Sequence, residues 1–589
     1  MEGPELRAAV RAEVRAYMAG AAARYVPVLA AVLAVVLLVV VVPDTRRVDD
    51  SGLAGGAAGQ AAQDNTAASG NGAPAPGAIP GSTTAGAAPG AAGNPGSGTT
   101  GTGGTGPGIS NSTTGSSVAG TGPGVASKSG TAVTGAKCGA GARQFSWAPY
   151  SPPCVAKWTG RNSGASAHGV TASTITMVLR NPSDWDSLAA STNSPKFAGI
   201  AHDTQVLVNY FNRQYELYGR KVVVKTFNGK GSFVSEGANQ GQANASSDAQ
   251  TAYDMGAFVD GFPFATGTYA DAEASRRIVH FAPGNSVSAY KSNAPYRYGM
   301  PAGPVNEIQG AGVASFACQR LAKMPAIFAG DATYQKTPRK FAVIEPEQPQ
   351  FAGGSDIVVS QMKSGCGQDV KAYRYSADVS SEAQQGTQIT AQMKADGITT
   401  ILMLTDPIMV QFMTAAASKQ QYNPEWAFTV LPANLARQAD AAQMAHAIAV
   451  QPWPEQVQAQ KDRLCYRIYK LADPNGAPQA GPTGLDLACS MMLAVFGALQ
   501  EAGPTLTPQN FSKGWFSMPD SNGASDFGRW SFGQNQYSPL ATFSVTWWNP
   551  NAADKYDGGT GQFQACSNLA NEPYKNPKLG SGQPSCFGH

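Results

Sequence analysis

From residue 169 onward the chain alternates short apolar β-rich runs with longer amphipathic stretches. The runs 174–179 "TITMVL", 221–227 "KVVVKTF", 256–259 "GAFV", 278–282 "IVHFA", 340–344 "KFAVI", 399–404 "TTILML", 426–430 "WAFTV" and 447–450 "AIAV" predict strands. Helices are expected between them. The clearest is 198–217, where Ile200, Leu207, Phe211 and Leu217 recur near the helical period. Strands apolar on both faces and joined by helices predict an α/β class with doubly wound parallel sheets. A stretch of about 380 residues exceeds one such sheet, so two lobes are expected.

The earlier part of the chain has a different pattern. Residues 1–24 carry Arg7, Arg11, Arg15 and Arg24, and 25–43 form an uncharged apolar stretch, "YVPVLAAVLAVVLLVVVVP". Its length reaches the lower end of what crosses a hydrocarbon core of about 30 Å. The arginine excess before it predicts a cytoplasmic N-terminus and an extracytoplasmic remainder. No A-x-A site follows the run directly, so an uncleaved signal anchor is expected rather than a removed secretory signal, and no lipobox-like cysteine is present. The protein is therefore expected to be a single-pass protein of the cell membrane that meets the lipid bilayer through 25–43. Residues 44–136 are mostly Gly, Ala, Ser, Thr and Pro. Such a composition cannot bury enough apolar surface to fold, and it predicts a disordered, flexible tether with a span of roughly 50 Å.

Charge and cysteines narrow the function. Net charge is +3 with 14% charged residues, and no basic block interleaves with aromatics, so nucleic acid is not an expected partner. Cys138, Cys154, Cys318, Cys366, Cys465, Cys489, Cys566 and Cys586 all follow the anchor. They fall into four successive pairs of modest separation, which predicts sequential disulfides in an oxidising compartment. The first pair lies within a disulfide-bearing entry segment at 137–168 that leads into the main domain. The five histidines form no ligand-spaced pair and no C-x-x-C occurs, so neither a metal nor a cofactor is expected. No nucleophile elbow, phosphate loop or dinucleotide turn after a strand appears outside the tether, and no enzyme is expected. His202–Asp203 lies in an amphipathic helix and reads as a solvated face.

The loops after the third and fourth runs, "DGFPFATGTYADAEASRR" and "HFAPGNS", share small and hydrogen-bonding residues. Ligands of open parallel sheets bind outside strand carboxyl ends, and Thr266 and Thr268 precede a helix whose amides suit an anionic group. Turns that use Gly and Asn for positive φ are the alternative reading.

In sequence and order, "GVTASTITMVL", "YFNRQYELYGRKVVVKTFNGKG", "IVHFAPGNS", "YRYGMPAGPVNEIQGAGVASF", "KFAVIEPEQPQFAGGSDIVVSQMKSGCG", "ADGITTILML" and "LDLACSMMLAVFGALQEAG" resemble the type I periplasmic binding proteins, the branched-chain amino acid binding family. The resemblance covers about 169–549. It implies a two-lobed clamshell with three crossings, the first lobe at about 170–296 and 432–535 and the second at about 297–431 and 536–549, leaving 550–589 as a disulfide-bearing tail. It also implies a solute-binding protein that closes on a small polar or amphipathic molecule, an amino acid or related compound, with an ABC permease and ATPase as partners. A ligand-sensing or interaction module of a cell-surface receptor system is the alternative. The absence of an output domain after the clamshell favours capture for transport.

The resemblance implies a ligand-binding loop at Gly284, Asn285 and Ser286, a second polar loop at Thr266 and Thr268, and aromatic contacts at Phe351 and Trp185. The family's ammonium-pairing acid falls here near Pro432, and the neighbouring carboxylate is Asp406. Each has a plainer reading as well: Trp185 as a lobe-edge cap, Phe351 as a core residue of its helix, and Asp406 as an N-cap before Pro407.

Overall fold

The computed structural model describes residues 127–589 apart from 283–284, 454–457, 522–525, 568 and 588–589. The segment 1–24, the anchor 25–43 and the tether up to residue 126 lie outside the described residues, as does Gly284.

A short hairpin, β1 (Gly130–Thr131) and β2 (Lys137–Cys138), opens the described chain. The expected tether thus ends about ten residues earlier than its composition suggests. The backbone of Ser127 and Thr131 also bonds Ala156 and Lys157, so these residues are ordered by pairing with a disulfide-held segment.

The first sheet has β3 (Thr174–Asn181) between β4 (Lys221–Asn228) and β5 (Val259–Asp260), all parallel. A bridge from Val259 to Val279 continues it to β6 (His280–Ala282), which pairs in parallel with β7 (Arg297–Gly299). The helix Gly481–Ala502, whose residues from Ala488 to Gln500 are all buried, shares one hydrophobic core with Ile175 and Met177 of β3, Val222 of β4 and Phe281 of β6. That helix packs on Phe197–Phe211 and Pro508–Ser517. The helix expected at 198–217 ends at Phe211, and the side chain of its C-cap Asn212 bonds both the N–H and the C=O of Val222 at the start of β4.

The second sheet contains β8 (Phe341–Pro346), β9 (Val370–Tyr375), β10 (Thr400–Met403), β11 (Glu425–Phe428) and β12 (Ala447–Gln451), parallel in the order β9-β8-β10-β11-β12. Every residue of β8, β10, β11 and β12 is buried, which is why these strands read as apolar runs. Two antiparallel strands, β13 (Thr542–Ala553) and β14 (Thr560–Ala565), extend the sheet beyond β12, and β15 (Glu572–Pro573) pairs with β13.

This pairing corrects the expected boundaries. β7 hydrogen-bonds β6 and so belongs to the first lobe, whereas β12 hydrogen-bonds β11 and belongs to the second, which moves the second boundary from 432 past 451. Residues 550–589 are not a tail. They complete β13 and supply β14 and β15, and Arg320 binds the carbonyls of Leu579, Gly582 and Gln583. The three crossings lie together: Gly299 N–H donates to Tyr537 O, Trp453 Nε1 to Ala302 O and Ser538 Oγ to Met300 O. All four sequential disulfides are formed: Cys138–Cys154, Cys318–Cys366, Cys465–Cys489 and Cys566–Cys586.

Candidate functional site

The strand carboxyl ends of the two lobes face one another, because the loops that leave them are in contact. Ser286 N–H, after β6, donates to Gln350 O at 2.9 Å, from the turn after β8. Asn306 Nδ2 donates to the same oxygen at 3.1 Å, and Gln350 Nε2 reaches Gly237 O at 3.4 Å. At another point Asn434 Nδ2 and Gln438 Nε2 donate to Thr192 O at 3.2 and 3.1 Å. The candidate cleft lies along these contacts.

On the first-lobe side, Ser286 is the N-cap of Val287–Ser292, and its hydroxyl accepts from Ala289 N–H. Val287 N–H donates to both carboxylate oxygens of Glu307 at 3.0 Å. Asn285 Oδ1 accepts from Arg297 Nη2 at 2.8 Å. The amides at this helix start therefore already serve a carboxylate and a carbonyl of the chain itself. Thr266 caps the helix Gly267–Ser275, and its hydroxyl donates to Glu236 Oε2 at 2.6 Å, while Thr268 Oγ1 donates to Glu236 O. Both threonines thus hold the 232–237 segment in place. Glu236 is needed there because Arg180, at the end of β3, is buried and must be paired. Arg180 is bidentate on Glu236 at 2.9 and 2.7 Å, touches Asp248 at 3.3 Å and stacks 3.7 Å over the Tyr269 ring.

Trp185 is 3% exposed and packs in an aromatic group with Phe233, Phe262 and Phe264, ring centroids 4.5–5.5 Å away. Its Nε1 donates to Pro195 O at 3.1 Å. Phe233 and Phe264 are half-buried, so this group is a first-lobe aromatic cluster with two of its rings partly open to solvent.

On the second-lobe side, Phe351 ends the turn Pro349–Phe351 and is half-buried, next to the Gln350 that makes the interlobe bonds. Asp406 caps Pro407–Lys419: its Oδ1 accepts from Ile408 and Met409 N–H, and its Oδ2 accepts from Tyr375 Oη at 2.5 Å. Burial, then the charges of Asp406 and Asp378, push the Glu382 carboxyl up to about 9, so it is neutral at neutral pH. Beneath the first-lobe loops, burial pushes Asp260 up to about 6, and burial followed by the Asp260 charge raises Glu273 well above the carboxylate range. His280 is held neutral by burial and by the nearby Arg297.

Of the expected residues, Asn285, Ser286 and Phe351 come together at the Gln350 contact, with Thr266 beside them: the Gln350 Cγ would lie 3.3 Å from a Cβ at Gly267. Trp185 belongs to a separate apolar cluster. Gln350, Asn306, Glu307, Asn434 and Gln438 were not foreseen, since isolated amides and acids in loops carry no pattern. The Arg180 cluster had one signal, an arginine closing the apolar run "TITMVLR". A shallow concavity of about 560 Å³, lined by Lys371, Tyr373, Arg374, Ile389, Gln392 and Asp396, lies at the edge strand β9 and includes no residue of the interlobe contacts.

No family model and no curated protein matches the chain. Solved structures do. A fatty acid ABC transporter substrate-binding protein from Thermomonospora curvata is similar at 13% identity with a TM-score of 0.50, covering 72% of this chain and 98% of that one. A leucine-, isoleucine-, valine-, threonine- and alanine-binding protein from Brucella ovis, in a closed conformation, is similar at 13% identity with a TM-score of 0.48, covering 69% and 98%. A solute binding protein of an ABC transporter from Rhodopseudomonas palustris BisB5, in complex with 3,4-dihydroxy benzoic acid, is similar at 11% identity with a TM-score of 0.45, covering 68% and 99%. The fold is that of the type I periplasmic binding proteins.

Proposed function

We propose that this chain is a membrane-anchored, extracytoplasmic solute-binding protein that captures a small polar or amphipathic molecule between its lobes for an ABC importer. The observation that carries this reading is the cleft: two parallel sheets whose carboxyl ends meet through a few noncovalent bonds, among them those of Gln350, Glu307, Asn434 and Gln438. Ligand sites form at such strand ends, and lobes joined this way open and close as units. The aromatic wall of Trp185, Phe233 and Phe264 supports an apolar portion in the ligand. Ser286 and Val287 donate to Gln350 and Glu307 in this closed form, which argues against a ligand carboxylate seated on those amides while the lobes meet as they do here. The apolar stretch 25–43 supports the anchor, with the clamshell held away from the bilayer by the tether. Native mass spectrometry of the full chain released from detergent tests the reading. A retained small molecule, lost when the aromatic wall is cut back by Phe264→Ala, is the expected result. A chain free of any solute, with lobes that keep one fixed separation across a metabolite panel, would reject it.

A further inference from the structure

The hairpin joining β13 to β14 carries a tyrosine into the other lobe. Tyr556 is buried, its hydroxyl donates to Asp486 Oδ2 at 3.0 Å, and the Arg463 guanidinium lies 4.8 Å over its ring. Asp486 sits in the first-lobe helix Gly481–Ala502, and Arg463, which begins the helix Leu464–Ala472, pairs with it at 2.8 Å. Both partners are buried. The hairpin belongs to the sheet of the second lobe.

The tip is built to hold that reach. Asp554 Oδ1 accepts Tyr556 N–H at 2.9 Å, and Asp554 N–H and Gly559 O close the turn at 2.8 Å. Arg437, also of the second lobe, clamps the tip from behind: it binds Asp557 at 2.6 and 2.9 Å, Asp554 at 2.7 Å and the carbonyls of Thr560 and Gly561 at 3.0 Å. A Cβ at Gly559 would stand 2.4 Å from the Arg437 Cζ, so only glycine lets the guanidinium lie so close. The same second-lobe segment bears Asn434 and Gln438, which bond Thr192 of the first lobe.

We propose that the 554–559 tip is a clasp that holds the two lobes together before any solute arrives, with Tyr556 as the tongue and Arg463–Asp486 as the keeper. Separating the lobes withdraws a buried aromatic side chain and breaks a hydrogen bond to a carboxylate, which is stronger than one between neutral groups. The closed arrangement is thereby favoured in the free protein, and solute entry waits on release of the tip. The proposal does not depend on what the cleft binds.

Hydrogen exchange on the full chain without added solute tests it. The amides of Ser286 and Val287 are bonded across the lobes to Gln350 and Glu307 and take no part in the clasp, so they report closure. Tyr556→Phe keeps the ring and removes the hydroxyl, and exchange at 286–287 is expected to quicken about tenfold, the loss typical of one hydrogen bond to a charged group. Gly559→Val, which displaces Arg437 from outside the keeper, is expected to do the same, so the test survives if Tyr556→Phe does not fold. Exchange in β3 and β10, inside each lobe, is expected to stay as in the unaltered chain. Unchanged exchange at 286–287 in the folded variants would overturn the clasp. Equal acceleration in β3 and β10 would also overturn it, by showing general loosening.

Discussion

The backbone N–H of Ser286 donates to the carbonyl of Gln350 at 2.9 Å, so a helix cap of the first lobe and a turn of the second share one hydrogen bond. Gly267, at the first position of its helix, lets that turn approach: a Cβ there would meet Gln350 Cγ at 3.3 Å and Arg297 Nη2 at 3.4 Å. Its backbone has no positive φ, so a side chain is obstructed first by Gln350 of the neighbouring lobe and next by Arg297 of its own, and not by its own conformation. Gly267→Val is expected to prise the lobes apart while costing less than about 1 kcal/mol of stability within the first lobe. Spin labels placed one on each lobe will show a longer mean separation in the variant, and an unchanged distance distribution would mean that the Gln350 turn does not govern closure.

The buried acids under the first-lobe loops predict a pH dependence. Asp260 accepts Phe262 N–H at 2.7 Å and Tyr269 Oη at 3.2 Å, yet burial still raises its carboxyl to about 6. An unfolded Asp titrates near about 4. Between these values the folded chain binds more protons than the unfolded one, so stability falls as pH rises through the window. The contribution is fully present below about 4 and gone above about 6, a difference on the order of 2–3 kcal/mol. Urea midpoints from pH 4 to 7 are expected to decline more steeply for the native chain than for Asp260→Asn. Parallel curves would exclude Asp260 as the source.

Cys465 and Cys489 join the helices Leu464–Ala472 and Gly481–Ala502 with a Cα separation of 5.8 Å, and both are fully buried. Their bond closes a loop across a sequence separation of 24 residues. Replacing both by alanine is expected to cost roughly 3 kcal/mol, mainly through a freer unfolded chain. Denaturant titration of the double variant measures it, and peptide mapping without reduction will recover the four sequential pairs.

The sequence made the parallel strands readable because burial on both faces leaves an apolar run, as in "TTILML" and "KFAVI". The antiparallel addition was not readable. β13 contains Asn549, Pro550 and Asn551, which signal a turn, and the register of β13 on β14 shifts between Asn549 and Ala553, which is where a strand tolerates a proline. The turn residues "DKYDGG" at 554–559 were visible, but nothing in them indicates that Tyr556 enters the other lobe. At the candidate site, Asp406 is legible as a helix cap because capping is local, whereas Ser286, read as a ligand-binding residue, also proves to be one. Gln350 is not legible, since its partners lie 64 and 44 residues away in Ser286 and Asn306. The four disulfides were legible because each separation is modest, between 16 and 48 residues.

Trp185 offers a test that separates packing from recognition. It is 3% exposed, its rings meet Phe264 at 4.5 Å and Phe233 at 5.1 Å, and its Nε1 bonds Pro195 O. A buried tryptophan cut to alanine leaves a cavity, and Trp185→Ala is expected to cost about 3–5 kcal/mol. Trp185→Phe retains most of the aromatic packing and loses the hydrogen bond, so a cost of about 1–2 kcal/mol is expected. If Trp185 supports the wall from behind, the folded Trp185→Phe protein keeps its retained solute, while Phe264→Ala, which cuts a half-buried ring of the wall, releases it. Native mass spectrometry and thermal unfolding of the two variants measure both effects. A Trp185→Phe protein with native stability and no bound solute would place the Trp185 indole itself against the ligand.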